Sequence, residues 1–118
     1  MEKRVRKYIM PFEESSLPKV SLAHRFAHAY DIIHRGKKIG SIEIPTDLEG
    51  DTYSISDVNI KPQYRRMGLG TAVYVAAIQE FDKPIESFMS TPEAERVWNR
   101  LVRMGLARKT EYGYISTK

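Results

Sequence analysis

Residues 58–74 read V-N-I-K-P-Q-Y-R-R-M-G-L-G-T-A-V-Y, and this stretch constrains the fold more than any other. An apolar, β-prone run stops at Pro62, a basic glycine turn follows, and a helix-forming apolar run begins at once. The first turn of a helix leaves its backbone N–H groups unpaired, and the helix dipole adds partial positive charge there. A strand, a glycine turn and a helix start in this order therefore gather free donors at one point, a site suited to phosphate or pyrophosphate.

The flanking sequence supplies the rest of an α/β pattern. Residues 30–34, the turn Arg35-Gly36-Lys37-Lys38 and residues 39–44 predict a β-hairpin. Residues 45–51 form a polar loop around Gly50, and residues 52–60 alternate as a third strand. That alternation puts Tyr53, Ile55 and Asp57 on one face and Ser54, Ser56, Val58 and Ile60 on the other. Residues 68–81 predict a helix with a broad apolar face built on Leu69, Ala72, Val73, Ala76 and Ala77, widened by Tyr74, Val75 and Ile78. A short strand over residues 85–89 returns to the sheet. Thr91-Pro92 then opens a second helix, with Ala94, Val97, Trp98, Leu101 and Val102 as its buried stripe and Gly105 as its end. Residues 106–117 predict a last hairpin turning near residues 111–113. Before residue 22 only a short strand around residues 5–10 is legible. The order implies a mixed sheet with flanking helices, parallel where the first helix crosses over.

At 118 residues the chain is expected to be one domain, residues 1–118. It has no cysteine, which excludes disulfides, thiolate metal sites and cysteine nucleophiles. No apolar run approaches the roughly 20 residues that cross a bilayer, so a cytoplasmic location is expected. A net charge of +4 favours anionic ligands. His24, His28 and His34 have no metal-ligand spacing, and no metal is expected.

Arg65-Arg66-Met67-Gly68-Leu69-Gly70, with Ile60, Pro62 and Tyr64 leading in, resembles the signature of the GNAT N-acetyltransferase superfamily: Gln or Arg, two free positions, Gly, one free position, then Gly or Ala. The resemblance covers about residues 39–107. It implies a GNAT-like mixed sheet with a reduced N-terminal helical region, and acetyl-CoA as acyl donor. It further implies that Gly68 and Gly70 admit the pyrophosphate and that amides from Arg66 through Met67, Leu69 and Gly70 to Thr71 bind it. Arg65 or Arg66 would add charge, and Val58, Asn59 and Ile60 at the strand's end would offer backbone groups to the pantetheine arm. The acceptor implied is a primary amine on a small molecule or a protein, and an open acceptor side suits a protein lysine or N-terminus.

The chain departs from that pattern where proton transfer is concerned. Ser54 and Ser56 stand where many relatives place a glutamate or histidine base; a serine can hold a water but cannot be the base. Asp57 and Glu43 are the nearby carboxylates. Trp98 and Leu101 occupy the helix where relatives often place a proton-donating tyrosine, leaving Tyr112 and Tyr114 of the last hairpin as candidates. Arg96, Arg100 and Arg103 lie off the apolar stripe and favour the helix C-terminus by charge. Two alternatives remain: an inactive CoA-binding or partner-binding remnant, and a winged-helix DNA module built on residues 91–117.

Overall fold

The computed structural model describes residues 17–45, 50–65, 68–88 and 91–117. The strand expected around residues 5–10 and part of the loop after residue 45 lie outside these. The elements are β1 (Ser21–Phe26), β2 (Ala29–His34), β3 (Lys37–Glu43), β4 (Asp57–Ile60), a 3-10 turn (Pro62–Tyr64), α1 (Leu69–Glu80), β5 (Glu86–Ser87), α2 (Pro92–Arg103), β6 (Ala107–Lys109) and β7 (Tyr114–Ser116). A winged-helix module needs two helices before its recognition helix, and among the described residues only α1 precedes α2, with four strands upstream of it. No helix among them is long and apolar enough to cross a membrane.

Strands β1 to β4 form one antiparallel sheet in chain order, and β5, β7 and β6 form a second. Strand β1 was not expected. The β2–β3 hairpin turns on Arg35 and Gly36 alone, both at positive φ, which is the conformation that fits the strand twist. The expected parallel crossover is reduced to one bridge, Tyr53 against Ile85. There the Tyr53 amide donates to Pro84 O, and the Glu86 amide to Tyr53 O, each at 2.8 Å. Beyond the bridge β4 bonds to β3 and β5 bonds to β7, so the two sheets diverge.

The regular alternation expected over residues 52–60 is broken. Tyr53 and Ile55 pack on the core, and so do Val58 and Ile60, so the inward phase shifts between residues 55 and 58. The Ser56 amide donates to Glu43 O at 2.9 Å while Asp57 is the register partner of Glu43, so two residues of one strand face one of the other. That is the signature of a bulge, which re-aims side chains.

Helix α1 is buried on nearly all sides from Leu69 to Ile78. Leu69, Val73 and Ala77 join Ile32, Ile39, Ile42 and Ile44 in one core cluster. Tyr74, Val75 and Ile78 join Ile85, Trp98, Leu101 and Met104 in the other. Helix α2 is by contrast amphipathic, with Trp98 and Leu101 inward and Thr91 Oγ1 accepting the Ala94 amide at its start.

Strands β3 and β4 approach closely at Gly40, where an added β-carbon would collide with the Asn59 carbonyl oxygen. Gly40→Ala should therefore cost about 1–3 kcal/mol of stability. Urea unfolding measures this, and an unchanged midpoint would contradict the close approach.

Candidate functional site

Two adjoining cavities open where the sheets diverge. The first, about 400 Å³, lies in the fork between β4 and β5. Residues 55–58 form one wall, Glu86 and Ser87 the other, and Gly70, Tyr74, Ala94 and Trp98 reach it from the helices. The second, about 450 Å³, lies at the start of α1 and is bounded by Ile60, Tyr64 and Arg65, by residues 68–71, and by α2. Gly70, Glu93 and Val97 line both, so the cavities form one trough.

Among the described residues, one helix start has a side-chain cap and the other has none. Gly68 precedes α1 in a left-handed conformation (φ 76°) with no side-chain cap. The first helical bond runs from the Ala72 amide to Gly68 O at 3.2 Å. The amides of Leu69, Gly70 and Thr71 therefore have no intrahelical acceptor and open toward the second cavity, which these residues line. Arg66 and Met67, expected to share this role, lie outside the described residues.

Gly70 is not dictated by packing. A β-carbon there would meet Val97 Cγ2 at an ordinary 3.9 Å, so the protein itself has room for it. What glycine preserves is space on the cavity side.

Strand β4 borders the trough with an edge that no other strand pairs among the described residues. The Lys61 amide donates to Ile39 O at 2.9 Å, which makes Gly40–Ile60 and Ile42–Val58 the non-hydrogen-bonded pairs of the β3–β4 ladder. The backbone groups of Val58 and Ile60 consequently face away from β3, while those of Asn59 turn to Ser41. Arg65 Nε donates to the Ile60 carbonyl at 2.9 Å, which holds the guanidinium at the rim.

The two cavities differ in charge. Asp57, Glu86 and Glu93 line the first, with no lysine or arginine among its described lining residues. Arg65, Arg96, Arg100 and Arg103 line the second, with Glu93 as its one acid among them. The three α2 arginines had been assigned only a helix-end role from sequence, since a helical wheel shows what is off the core but not what it faces.

The bulge brings Asp57 to the first cavity, on the wall it shares with Ser56 and Val58. Glu43 stands behind that wall, its Oε1 3.5 Å from the Ser56 hydroxyl. Tyr112 is 71% exposed and is among the described lining residues of neither cavity. Tyr114 is buried, donates to Asn99 Oδ1 at 2.8 Å and stacks on Trp98. Tyr74 of α1 was missed, because its place in an apolar run makes it look like core. It lines the first cavity and meets Trp98 edge-on, and no hydrogen bond to its hydroxyl occurs among the described residues. Burial raises its pKa above that of a free phenol, so at neutral pH it holds a proton to give.

The family model described as the acetyltransferase (GNAT) family matches residues 2–101. This reaches further toward the N-terminus than the resemblance expected from residue 39 and stops short of the last hairpin. No curated protein matches the chain. Similar solved structures include an acetyltransferase from Thermus thermophilus (14% identity, TM-score 0.46, covering 75% of this chain and 59% of that one). Another is an N-acetylglutamate synthase from Neisseria gonorrhoeae, complexed with coenzyme A and N-acetyl-glutamate (20% identity, TM-score 0.49, covering 76% and 23%). A third is a GNAT-family acetyltransferase from Bacillus anthracis (16% identity, TM-score 0.47, covering 75% and 63%). The matched region spans less than two thirds of each of these chains.

Gly70→Ala should move stability and ligand binding in opposite directions. An alanine at this second helical position should stabilise the free protein by at most about 0.5–1 kcal/mol, while affinity for inorganic pyrophosphate falls. Thermal unfolding and titration calorimetry report the two effects; unchanged affinity would mean that no ligand approaches that α-carbon. Tyr74 yields a pH test. Its folded pKa lies above the unfolded value of about 10, so its contribution is complete below pH 10 and is lost as pH rises toward the folded pKa. The alkaline fall in stability should be shallower in Tyr74→Phe than in the parent chain, and identical pH curves would refute the assignment.

Proposed function

The chain belongs to the acetyltransferase (GNAT) family, and from that premise we propose that it transfers an acetyl group from acetyl-CoA to a primary amine by direct transfer within one ternary complex. The observation carrying this reading is the trough of two joined cavities with opposite charge. Its basic end, with bare helix amides and Arg65 at the rim, suits a diphosphate. Its acidic end suits an ammonium group. The backbone edge at Val58 and Ile60, which no strand pairs among the described residues, suits an arm bearing amides, so the residues present fit coenzyme A.

The thioester supplies an electrophilic acetyl carbon and a thiolate leaving group. Leu69, Gly70 and Thr71 hold the diphosphate through their amides, with Arg65 adding charge. Val58 and Ile60 pair with the pantetheine arm and lead it into the fork between β4 and β5. Asp57 draws in the acceptor as its ammonium; that group first sheds one proton to solvent, and Asp57 then takes, directly or through a water held by Ser56, the second proton as the neutral nitrogen bonds to the acetyl carbon. Glu43, behind Ser56, orients that hydroxyl. Tyr74, rather than Tyr112, returns a proton to sulfur as the carbon–sulfur bond breaks. Much of the acceleration comes from holding amine and thioester together in the correct orientation.

The test is mass spectrometry of lysine-bearing peptides and small amines incubated with the protein and acetyl-CoA. Acetylation on nitrogen is expected. Asp57→Asn and Tyr74→Phe should each lower kcat by roughly 10²-fold or more with little change in KM for acetyl-CoA. Binding of coenzyme A without transfer to any amine would replace this reading with that of a cofactor-binding module. An undiminished kcat in Tyr74→Phe would remove that residue from the chemistry.

A further inference from the structure

The proposed function uses the diphosphate of coenzyme A, yet the basic cavity holds more positive charge than a diphosphate requires. Arg96, Arg100 and Arg103 recur on α2 at i, i+4 and i+7, a single helical row, and all three line the second cavity. The row has a direction. Ala94 and Trp98 of α2 line the first cavity, Glu93 and Val97 line both, and the arginines line the second. Val97 lies beside Gly70, so this level of α2 stands next to the start of α1. At a rise of 1.5 Å per residue, Arg100 and Arg103 stand about 4.5 and 9 Å further along the axis than Val97. They are displaced from the thiol end toward the nucleotide end. Glu93, the one acid lining this cavity among the described residues, sits at the opposite end of the row.

Coenzyme A carries a further phosphate on its ribose 3′-oxygen, at the end remote from the thiol. Arginine's planar fork of donors matches phosphate oxygens. We propose that Arg100 and Arg103, continuing the row from Arg96, bind the 3′-phosphate of coenzyme A and make this chain discriminate against the 3′-dephospho form. The proposal rests on the coenzyme A reading above. Arginines near a helix C-terminus also complement its dipole, but that role does not distinguish one ligand from another.

Titration calorimetry of the intact chain with coenzyme A and with 3′-dephospho-coenzyme A, at low salt, separates the possibilities. The parent chain should bind coenzyme A about ten-fold or more tighter, the worth of one or two charge-assisted hydrogen bonds. The double variant Arg100→Gln/Arg103→Gln should lose that preference while binding the dephospho form as before. Equal affinities in the parent chain overturn the 3′-phosphate assignment and leave the coenzyme A reading standing; this comparison needs no variant. Equal loss of both ligands in the double variant reassigns the row to the diphosphate and also overturns it. Binding of neither ligand by the parent chain overturns both readings.

Discussion

Burial of α1 between two sheets is the constraint from which the site follows. Leu69, Val73 and Ala77 are held by the isoleucines of β2 and β3 and the segment after them, and Tyr74, Val75 and Ile78 by α2 and the second sheet. A helix enclosed by apolar contacts has no freedom to tilt or slide without opening cavities beneath it. Its first turn is therefore fixed at the place where β4 and β5 part. The bare amides that elsewhere would call for a capping side chain open here into a cavity, where solvent or a ligand satisfies them.

Two irregularities then shape what that anchored helix end can serve. The bulge at Ser56 and Asp57 shifts the inward phase of the strand, allowing Val58 and Ile60 to pack while Asp57 reaches the cleft. The ladder phase of β3–β4 sends the backbone groups of alternate residues outward. Without the first, the carboxylate would face away from the acidic end; without the second, no edge would be available between the two cavities. The opposing charges at the ends arise from separate elements, acids on β4, β5 and the start of α2 against arginines on α2 and at the rim.

The sequence made the helices and the glycine turn legible because each has a local cause: helical spacing for α1, and Thr91 with Pro92 for α2. The hairpin turn at Arg35 and Gly36 was legible for the same reason. Strand β1 was not, since among its residues only Leu22 is even half-buried and an edge strand with one inward apolar side chain shows no alternation. Regular alternation turns Asp57 away from the face of Ile60 unless a bulge re-aims it, and that bulge depends on pairing with Glu43, which local periodicity does not encode. By helical spacing Tyr74 belongs to the apolar face, and the arginine row lies off the stripe where its charge favours the helix C-terminus. Both readings describe the helix correctly and omit the cleft, which exists only once the two sheets have diverged.

That divergence has a mechanical meaning. The backbone joins the sheets through the rungs at Tyr53 and Ile85, and side-chain packing under α1 does the rest. On the proposed reading, a pantetheine arm lying along Val58 and Ile60 would add hydrogen bonds across a gap the polypeptide leaves unbridged. The ligand would then act as a splint between the halves, so that their rigidity relative to one another varies with occupancy instead of being a fixed property of the chain.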